Sequence, residues 1–449
     1  MITINDHKQQ ALFDPWAFIC PKRRQLLDEG WPGLFRTHLL HELPVKEISP
    51  FFSSQWGRPS KELYSMLGAL LLQQAMDLTD EQTVEHFCFD LCWHYGLDIT
   101  QESDSAKYLC TKTLWSARQL MIENNLDPLL FERTSDKLAS VFEVNSGHQR
   151  IDSVHVFSNM RRLSRLGIFI RTIRKFLRNL KRQHAELWGL IAERFAERYL
   201  AEKALSAFSR VKPSVAEKTL LQVSADLLAL IERFKEQAAV CQMHSYKLMQ
   251  RVFSEHGEIK GDEPLTVKPA KEVPSDSLQN PSDPEATYDG HKGQGYQVQV
   301  METYTTTADK EQKEQFYYLR YNGKHYWLAR RRCLEQTDEF IERYRWRSGI
   351  EATMSEYATL TGVKRLRVRG MAAVRYCAVL KAAGLNLMRA ARVQRARMKA
   401  RLRAAAAASQ PLRAFFLSFK EQFAGLIGNR AWFSLPEPAQ ADDGLAWAT

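Results

Sequence analysis

The chain has 449 residues, which is enough for two or three domains of ordinary size. Hydrophobic residues make up 45% of the chain and charged residues 26%, which is typical of a soluble globular protein rather than a membrane-embedded one. The net charge of +11 and the pI of about 9.2 favour a polyanionic partner, most often nucleic acid. A basic surface kept for solubility is the alternative.

Seven scattered cysteines argue against a disulfide framework and fit a reducing cytoplasm. Cys88, Cys92 and His94 have a spacing that metal ligands use. A buried helix face has the same spacing, and we favour it because no second Cys/His pair completes a tetrahedral site.

No signal peptide opens the sequence, and two basic residues interrupt the apolar stretch 371–388. We therefore expect a cytoplasmic, nucleoid-associated protein with no membrane partner.

The first 140 residues are predicted to be helical throughout. The stretch 60–99 has helical apolar spacing, with Ser60 as a candidate N-cap. Thr79 and Gln82 have the spacing of a capping box for the next helix. The pattern predicts a compact helical module of the helix-turn-helix kind.

Near residue 150 a short β-branched run, Ile151–Phe157, predicts a strand that contains Asp152. A carboxylate is rarely buried unpaired, so Asp152 either has a function or faces water from an edge strand. From about 159 to 255 the pattern is helical and strongly basic at first. That face suits either phosphate groups or simple solvation.

Residues 257–287 contain five prolines among polar residues, which indicates a linker or an extended crossing segment. Alternation of apolar and polar residues predicts a strand at 296–304. Asn322-Gly323 predicts a type I′ hairpin between strands at 316–328. The pattern then becomes helical again and is predicted to end near Gly362.

The last predicted helix carries Tyr344, Arg347 and Glu351 on one face, because their spacing is i, i+3 and i+7. This face is either a solvated surface or part of an active site. No Asp or Glu occurs between Glu356 and Glu421, a region rich in Lys and Arg. Such one-sign clustering is typical of binding to a phosphate backbone.

In-line displacement at a phosphodiester is well served by two divalent metal ions clamped by carboxylates. Such sites place one Asp on a central strand, a second on a neighbouring strand and a third carboxylate on a helix. This chain offers Asp152 in a strand and Glu351 on a helix. Arg347 has the chemistry to hold a phosphate, and Tyr344 to stack or to form a hydrogen bond.

Three stretches, "RIDSVHVFSNMRR", "ATYDGHKGQGYQVQVMETY" and "RYRWRSGIEATMSEY" with the sequence after it, resemble DDE transposases of bacterial insertion sequences. The stretch "WGRPSKELYSMLGALLLQQAMDLTDEQTVEHF" resembles the helical N-terminal module of the same family. The resemblance covers most of residues 20–395. It implies an α/β fold, in which an all-helical N-terminal domain precedes an RNase H-like core with a long helical insertion.

The resemblance implies roles for individual residues. Asp152 and Glu351 are the expected catalytic residues and ligands of Mg²⁺ or Mn²⁺. Tyr344 and Arg347 complete the Tyr-Arg-Glu signature of the family and are expected to bind DNA. The Lys that the family places seven residues after the Glu falls on Ala358. Lys364 or Arg365 is expected to take the place of this Lys. The basic residues expected to bind DNA after the helix are Lys364, Arg365, Arg367 and Arg369.

The resemblance also divides the chain. The expected domains are a helical transposase and DNA-binding module (1–140), the first part of the RNase H-like core (145–175), a helical insertion (176–256), a Pro-rich connector (257–287), the rest of the core with the Glu-bearing helix and basic helices (288–400) and a C-terminal tail (401–449). The expected partner is double-stranded DNA at the terminal inverted repeats of the element, bound by a homodimer.

One part of the family pattern is missing. Family members carry a long segment with the second catalytic Asp between the strand at 296–304 and the hairpin at 316–328, where this chain has about a dozen residues. Asp309 lies in a highly polar stretch, and Asp289 precedes a glycine turn. Asp289 is kept as a candidate catalytic residue. An internal deletion accounts for the gap and predicts an incomplete core.

Three functions remain open from the sequence. The first is an insertion-sequence transposase that binds element-end DNA, with strand cleavage and transfer placed in doubt by the missing Asp. The second is a non-catalytic DNA-binding remnant or regulator. The third is a helical scaffold protein with a basic face, which predicts neither cleavage nor tight binding of DNA.

Overall fold

The structure is a computed structural model, and the residues that it describes are 3–7, 13–52, 60–144, 149–202, 208, 213–258, 265–303 and 337–426. Within these residues the fold is mostly helical with two small antiparallel sheets, in agreement with the expected α/β class. None of the described helices is long and apolar enough to span a membrane. The chain divides into two compact units, Met1–Ala391 and Arg392–Thr449.

The N-terminal part is helical, as predicted. Its helices are α1 (Pro21–Glu29), α2 (Trp31–Leu34), α3 (Val45–Ile48), α4 (Leu63–Ala75), α5 (Asp80–Phe89), α6 (Leu91–Gly96), α7 (Asp104–Lys107), α8 (Thr111–Glu123) and α9 (Asp127–Phe142). Short π and 3-10 turns lie on either side of α3, within residues 35–51.

Two helix N-caps were predicted from the sequence, and the structure confirms one of them. The capping box of α5 is confirmed, because Thr79 Oγ1 accepts the N–H of Gln82 and the Gln82 side chain accepts the N–H of Thr79. The N-cap of α4 is Glu62 and not Ser60. The carboxylate of Glu62 accepts the N–H groups at the start of α4, whereas Ser60 Oγ accepts the N–H of Thr3.

A three-stranded antiparallel sheet follows, in the order β1 (Gln149–Phe157), β5 (Gly293–Thr303) and β4 (Thr287–Asp289). Both predicted strands that lie within the described residues are therefore confirmed: the β-branched run is part of β1, and the alternating stretch is part of β5 up to Thr303. The register places Asp152 opposite Val300. A second, two-stranded sheet pairs β2 (Gly257–Glu258) with β3 (Thr266–Val267).

Between β1 and β2 the chain forms a helical segment with a hydrophobic core of its own. Its helices are α10 (Arg165–Gln183), α11 (Glu193–Leu200), α12 (Pro213–Phe234), α13 (Ala238–Cys241) and α14 (His244–His256). The Pro-rich stretch that follows packs against this segment, since Leu278 is fully buried in the same core. Asp283 is buried as well, where it accepts hydrogen bonds from Ser158 Oγ and Tyr296 Oη, both at 2.5 Å.

The C-terminal part contains α15 (Asp338–Thr361) and α16 (Met371–Leu426). Helix α15 ends where the sequence predicts, because Gly362 adopts the left-handed conformation with φ of 63°. Buried residues of α15 and of α16 up to Ala390 share one hydrophobic core with the sheet and with the N-terminal helices. The N-terminal helices and the Glu-bearing helix are thus parts of the same folded body.

Candidate active site and nucleic-acid interface

Asp152 lies on the face of β1 that packs against α15. Alternate residues of a strand share a face, so Asp152 lies on the same side as Val154 and Val156. Both valines are buried in the core with Ile350 of α15. Asp152 itself is half-buried, and its Oδ1 accepts the N–H of Ser153 at 2.7 Å. Among the described strands β1 has a neighbour on one side only, and Asp152 lies on its core-facing side while its carboxylate stays partly open to solvent.

Glu351 lies on the flank of α15. Ile350 and Met354 of this helix are buried, whereas Glu351 is exposed. Successive residues of an α-helix are about 100° apart, so Glu351 points about a quarter turn away from Ile350. The structure thus packs the helix of Glu351 against the strand of Asp152 and leaves the Glu351 carboxylate open to solvent.

Several predicted features involve residues or side chains outside the described part of the structure. The backbone of α15 includes Tyr344 and Arg347, but their side chains lie outside the described part of the structure. The predicted hairpin at 316–328 and Asp309 also lie outside the described residues. The segment with the suspected deletion is in the same range.

Glu302 of β5 joins three elements around Asp152. Its Oε2 accepts from Arg150 Nη2 at 2.7 Å, and its Oε1 accepts from Thr353 Oγ1 at 2.6 Å and from Arg389 Nη1 at 2.8 Å. Arg389 also donates to Glu356 of α15 through its Nη2 at 2.7 Å. One carboxylate therefore ties β1, α15 and α16 together beside the candidate catalytic strand.

The charge state of this network follows from its contacts. Burial disfavours the ionised form of Glu302, but hydrogen bonds from Thr353, Arg150 and Arg389 outweigh it and hold the pKa of Glu302 below its usual range. Burial likewise opposes the charge on Arg389, and its bonds to Glu356 and Glu302 raise its pKa overall. Glu302 is an ionised anchor whose oxygens are already engaged, so it is a poor candidate for a metal ligand.

Asp289 is not brought to Asp152. It ends β4, where its Oδ1 accepts the N–H groups of His291 and Lys292, each at 2.8 Å. These bonds to the backbone lower the pKa of Asp289. Asp289 pairs with Gly293 and Asp152 with Val300, so the two carboxylates are about seven residues apart along β5, which is about 23 Å. Asp289 holds the β4–β5 turn and is too distant to share a metal ion with Asp152.

The four predicted DNA-binding residues after α15 differ in their surroundings. Lys364 and Arg365 are exposed in a 3-10 turn, Val363–Arg365, and no ion pair involves them within the described residues. Arg369 is also exposed, with Nη1 at 3.4 Å from Met160 Sδ. Arg367 differs because its guanidinium donates to Asp77 Oδ1 at 3.1 Å. Lys364, Arg365 and Arg369 are thus more available to a phosphate than Arg367.

No cluster of three or more His, Cys, Asp or Glu side chains that could hold a metal ion occurs in the described parts of the chain. Mg²⁺ needs fewer protein ligands than that when water and phosphate oxygens complete its shell. Asp152 and Glu351 are of the right chemical type for such a partial site. The described residues do not complete a two-metal clamp.

The network of Glu302 was not predicted, although its signal is present in the sequence. In "GYQVQVMETY" the inward positions of β5 run Val298, Val300, Glu302. A carboxylate at an apolar position of a strand was the reason for selecting Asp152, and the same criterion applies to Glu302. Its arginine partners had no comparable signal, because an Arg on a helix is ordinarily solvated.

A family described as "Transposase DDE domain" matches residues 299–391, and a family described as "Transposase domain (DUF772)" matches residues 35–119. No curated protein and no solved structure matches. The first match includes Glu351 and the second includes the α4–α5 turn, whereas Asp152 lies in neither. Together the two matches indicate a DDE-type insertion-sequence transposase.

Proposed function

We propose that the protein binds double-stranded DNA at the ends of its insertion sequence. The observation that carries this proposal is the stretch from Tyr357 to Lys420, which contains no carboxylate and exposes many cations. Its exposed basic residues in the described structure include Lys364, Arg365, Arg369, Arg395, Lys399, Arg401 and Arg403. Exposed cations of this kind attract the phosphate backbone, and their binding gains free energy from the release of the counterions of DNA.

We further propose that the DNA-bound protein uses an RNase H-like core, in which Asp152 and Glu351 hold Mg²⁺ or Mn²⁺. The packing of α15 against β1 supports this assignment, since it brings the elements that carry the two carboxylates together. A bound cation would activate the attacking water and stabilise charge on the scissile phosphate. Tyr344 and Arg347 would hold that phosphate from the same helix.

A second candidate function is a DNA-binding remnant or regulator without cleavage activity. Two observations favour it: the sequence between β5 and the predicted hairpin is short, and no third carboxylate joins Asp152 and Glu351 among the described residues. Loss of one of three metal-binding carboxylates removes much of the rate of such an enzyme. A remnant of this kind would occupy element ends as a homodimer, or together with an intact relative in the nucleoid.

Two measurements on the purified protein test these functions in turn. Fluorescence anisotropy with a terminal-repeat duplex should show a Kd that rises steeply with salt, with a slope of about 0.9 in log Kd against log[salt] for each phosphate contact. Binding that is absent or insensitive to salt would contradict the DNA proposal. Cleavage of the same duplex with Mg²⁺ or Mn²⁺, lost in Glu351→Gln, would support the enzyme, and retained binding without cleavage would support the remnant.

A further inference from the structure

One face of α10 is a continuous strip of cations, half of them exposed and half of them partly buried. At about 100° per residue, six basic side chains fall within an arc of about 120° of this helix. These residues are Arg171, Arg174, Lys175, Arg178, Lys181 and Arg182. The opposite arc holds the buried apolar residues, among them Phe169, Phe176 and Leu180. The helix therefore has one mainly apolar side and one mainly basic side.

This strip has no carboxylate to neutralise it. No Asp or Glu occurs between Asp152 and Glu186 in the sequence. Within the described residues, Arg171, Arg174 and Arg178 take part in no ion pair, whereas other cations of the same helical segment do: Arg198 pairs with Asp226 at 3.1 Å, and Arg251 with Glu255 at 2.7 Å. Acidic partners are thus available to this segment but absent from the face of α10.

The electrostatic surroundings of Arg174 show the same imbalance. Burial lowers the pKa of Arg174, and the positive charges of Arg178 and Arg171 lower it further, with no opposing contribution from a carboxylate. Its Nη1 is buried and has no hydrogen-bond partner within the described structure. Like charges at i+3 and i+4 on a helix repel each other, so this repulsion destabilises the free protein. A bound polyanion would relieve it.

The strip lies close to Arg369, one of the residues proposed to bind DNA. Lys175 of α10 is near enough to Arg369 for the charge of Arg369 to lower its pKa, although burial is the larger cause. Met160, just before α10, contacts Arg369 as well. The basic face of α10 therefore lies next to the basic loop that follows α15.

We propose that the basic face of α10 is a second contact surface for the phosphate backbone of duplex DNA, separate from the residues around Glu351. This inference rests on the proposed function, because the transposase matches make DNA the polyanion that the charge favours. From Arg171 to Arg178 the helix rises about 10 Å, which spans about three base-pair steps of a duplex. The contacts would be to phosphates, so they would add affinity without reading sequence.

The test is a triple variant, Arg171→Gln, Arg174→Gln and Arg178→Gln, in the full-length protein. We expect its Kd for duplex DNA to rise at least tenfold at 100 mM salt, and the slope of log Kd against log[salt] to fall by about 2 to 3. Its melting temperature should stay the same or rise, because like-charge repulsion is removed. A lowered melting temperature would indicate a structural face and overturn the inference.

A charge-matched control lies in the same helical segment. Arg233→Gln, Lys235→Gln and Lys247→Gln remove the same three charges from exposed positions of α12, α14 and the stretch between them. We expect at most a twofold change in Kd for this control. Equal losses of DNA affinity in both triple variants would show that the affinity depends on net charge alone, and would overturn the inference. The triple variant Arg171→Lys, Arg174→Lys and Arg178→Lys keeps the three charges and should keep most of the affinity of the wild-type protein.

The measurements also distinguish a failure of the proposed function from a failure of this inference alone. If the wild-type protein does not bind duplex DNA at all, the proposed function fails, and the inference that rests on it fails with it. If the wild-type protein binds and the α10 variant binds equally well, only the inference fails. Anionic lipid vesicles serve as the competing polyanion: an α10 effect on vesicle binding without an effect on DNA binding would assign the face to membranes and overturn the inference.

Discussion

Lys381 Nζ donates a hydrogen bond to Asp77 Oδ1 at 2.7 Å, although 304 residues separate the two in the sequence. Lys381 lies on α16 and is only 2% exposed, while Asp77 lies in the turn between α4 and α5. Lys381 also donates to the carbonyl of Thr361, the last residue of α15. The N-terminal helices thus hold the end of the helix that carries Glu351.

The first prediction concerns this pair. Asp77→Asn removes the counter-charge of a buried ammonium and keeps a residue that tolerates the left-handed backbone found there, with φ of 51°. We expect the free energy of unfolding to fall by about 2–4 kcal/mol, less than the roughly 3–5 kcal/mol for a fully buried ion pair because Asp77 is partly exposed. Urea denaturation followed by circular dichroism measures it. The double variant with Lys381→Met should recover part of the loss, and an additive loss would contradict the pairing.

The second prediction concerns the pH dependence that Glu302 confers. Because its pKa is lowered in the folded protein, Glu302 contributes stability above its unfolded pKa of about 4.3 and loses it as the pH falls through the folded value. Glu302→Gln should cost about 2 kcal/mol at pH 7, since charge-assisted bonds to two arginines are weakened. Stability measured between pH 7 and pH 3 should show the difference from wild type shrinking towards low pH. A constant difference would exclude titration of Glu302 as its source.

The third prediction uses the close approach of α4 and α16. A Cβ at Gly384 would lie 2.4 Å from Ala75 Cα, which is backbone and cannot rotate away. Gly384→Ala should therefore destabilise the protein by about 1–3 kcal/mol. The usual effect of this change inside a helix has the opposite sign and is about 1 kcal/mol. Gly189→Ala is the control, because a Cβ there meets nothing within 4 Å. Thermal melts of both variants check the sign.

The fourth prediction separates metal binding from folding. Glu351 is exposed and Asp152 is half-buried, so Glu351→Gln should change the free energy of unfolding by less than about 0.5 kcal/mol. If the two carboxylates share a cation, each of Glu351→Gln and Asp152→Asn should weaken Mn²⁺ binding about tenfold or more, because a charged ligand is lost. Titration of Mn²⁺ followed by electron paramagnetic resonance measures it. Asp289→Asn, at the distant β4–β5 turn, should bind Mn²⁺ as the wild-type protein does.

Local features of the fold were predictable from the sequence. A β-branched run marked β1, apolar alternation marked β5, the Thr79 capping box marked the start of α5, and Gly362 marked the end of α15. Each of these depends on residues within a few positions of one another. The candidate site was predictable to the same extent: the elements of Asp152 and Glu351 were each identified, and the structure packs them together.

The remaining features depend on residues far apart in the chain. Nothing in the local pattern around Asp77 distinguishes it from an ordinary turn residue, because its partners Lys381 and Arg367 lie about 300 positions away. Asp283 sits among prolines in a polar stretch, yet it is a buried acceptor for Ser158 and Tyr296. A charged residue looks alike in sequence whether it is solvated or paired, and only the tertiary fold supplies the partner.

The core shared by the N-terminal helices and α15 has a consequence for recombination between related elements. A module joined by a free linker can be exchanged between proteins as a cassette. Here Gly384 and Lys381 of α16 fit against Ala75 and Asp77 of the helical module. We therefore expect a chimaera that receives residues 1–140 from a relative to fold stably only if it also receives the matching face of α16.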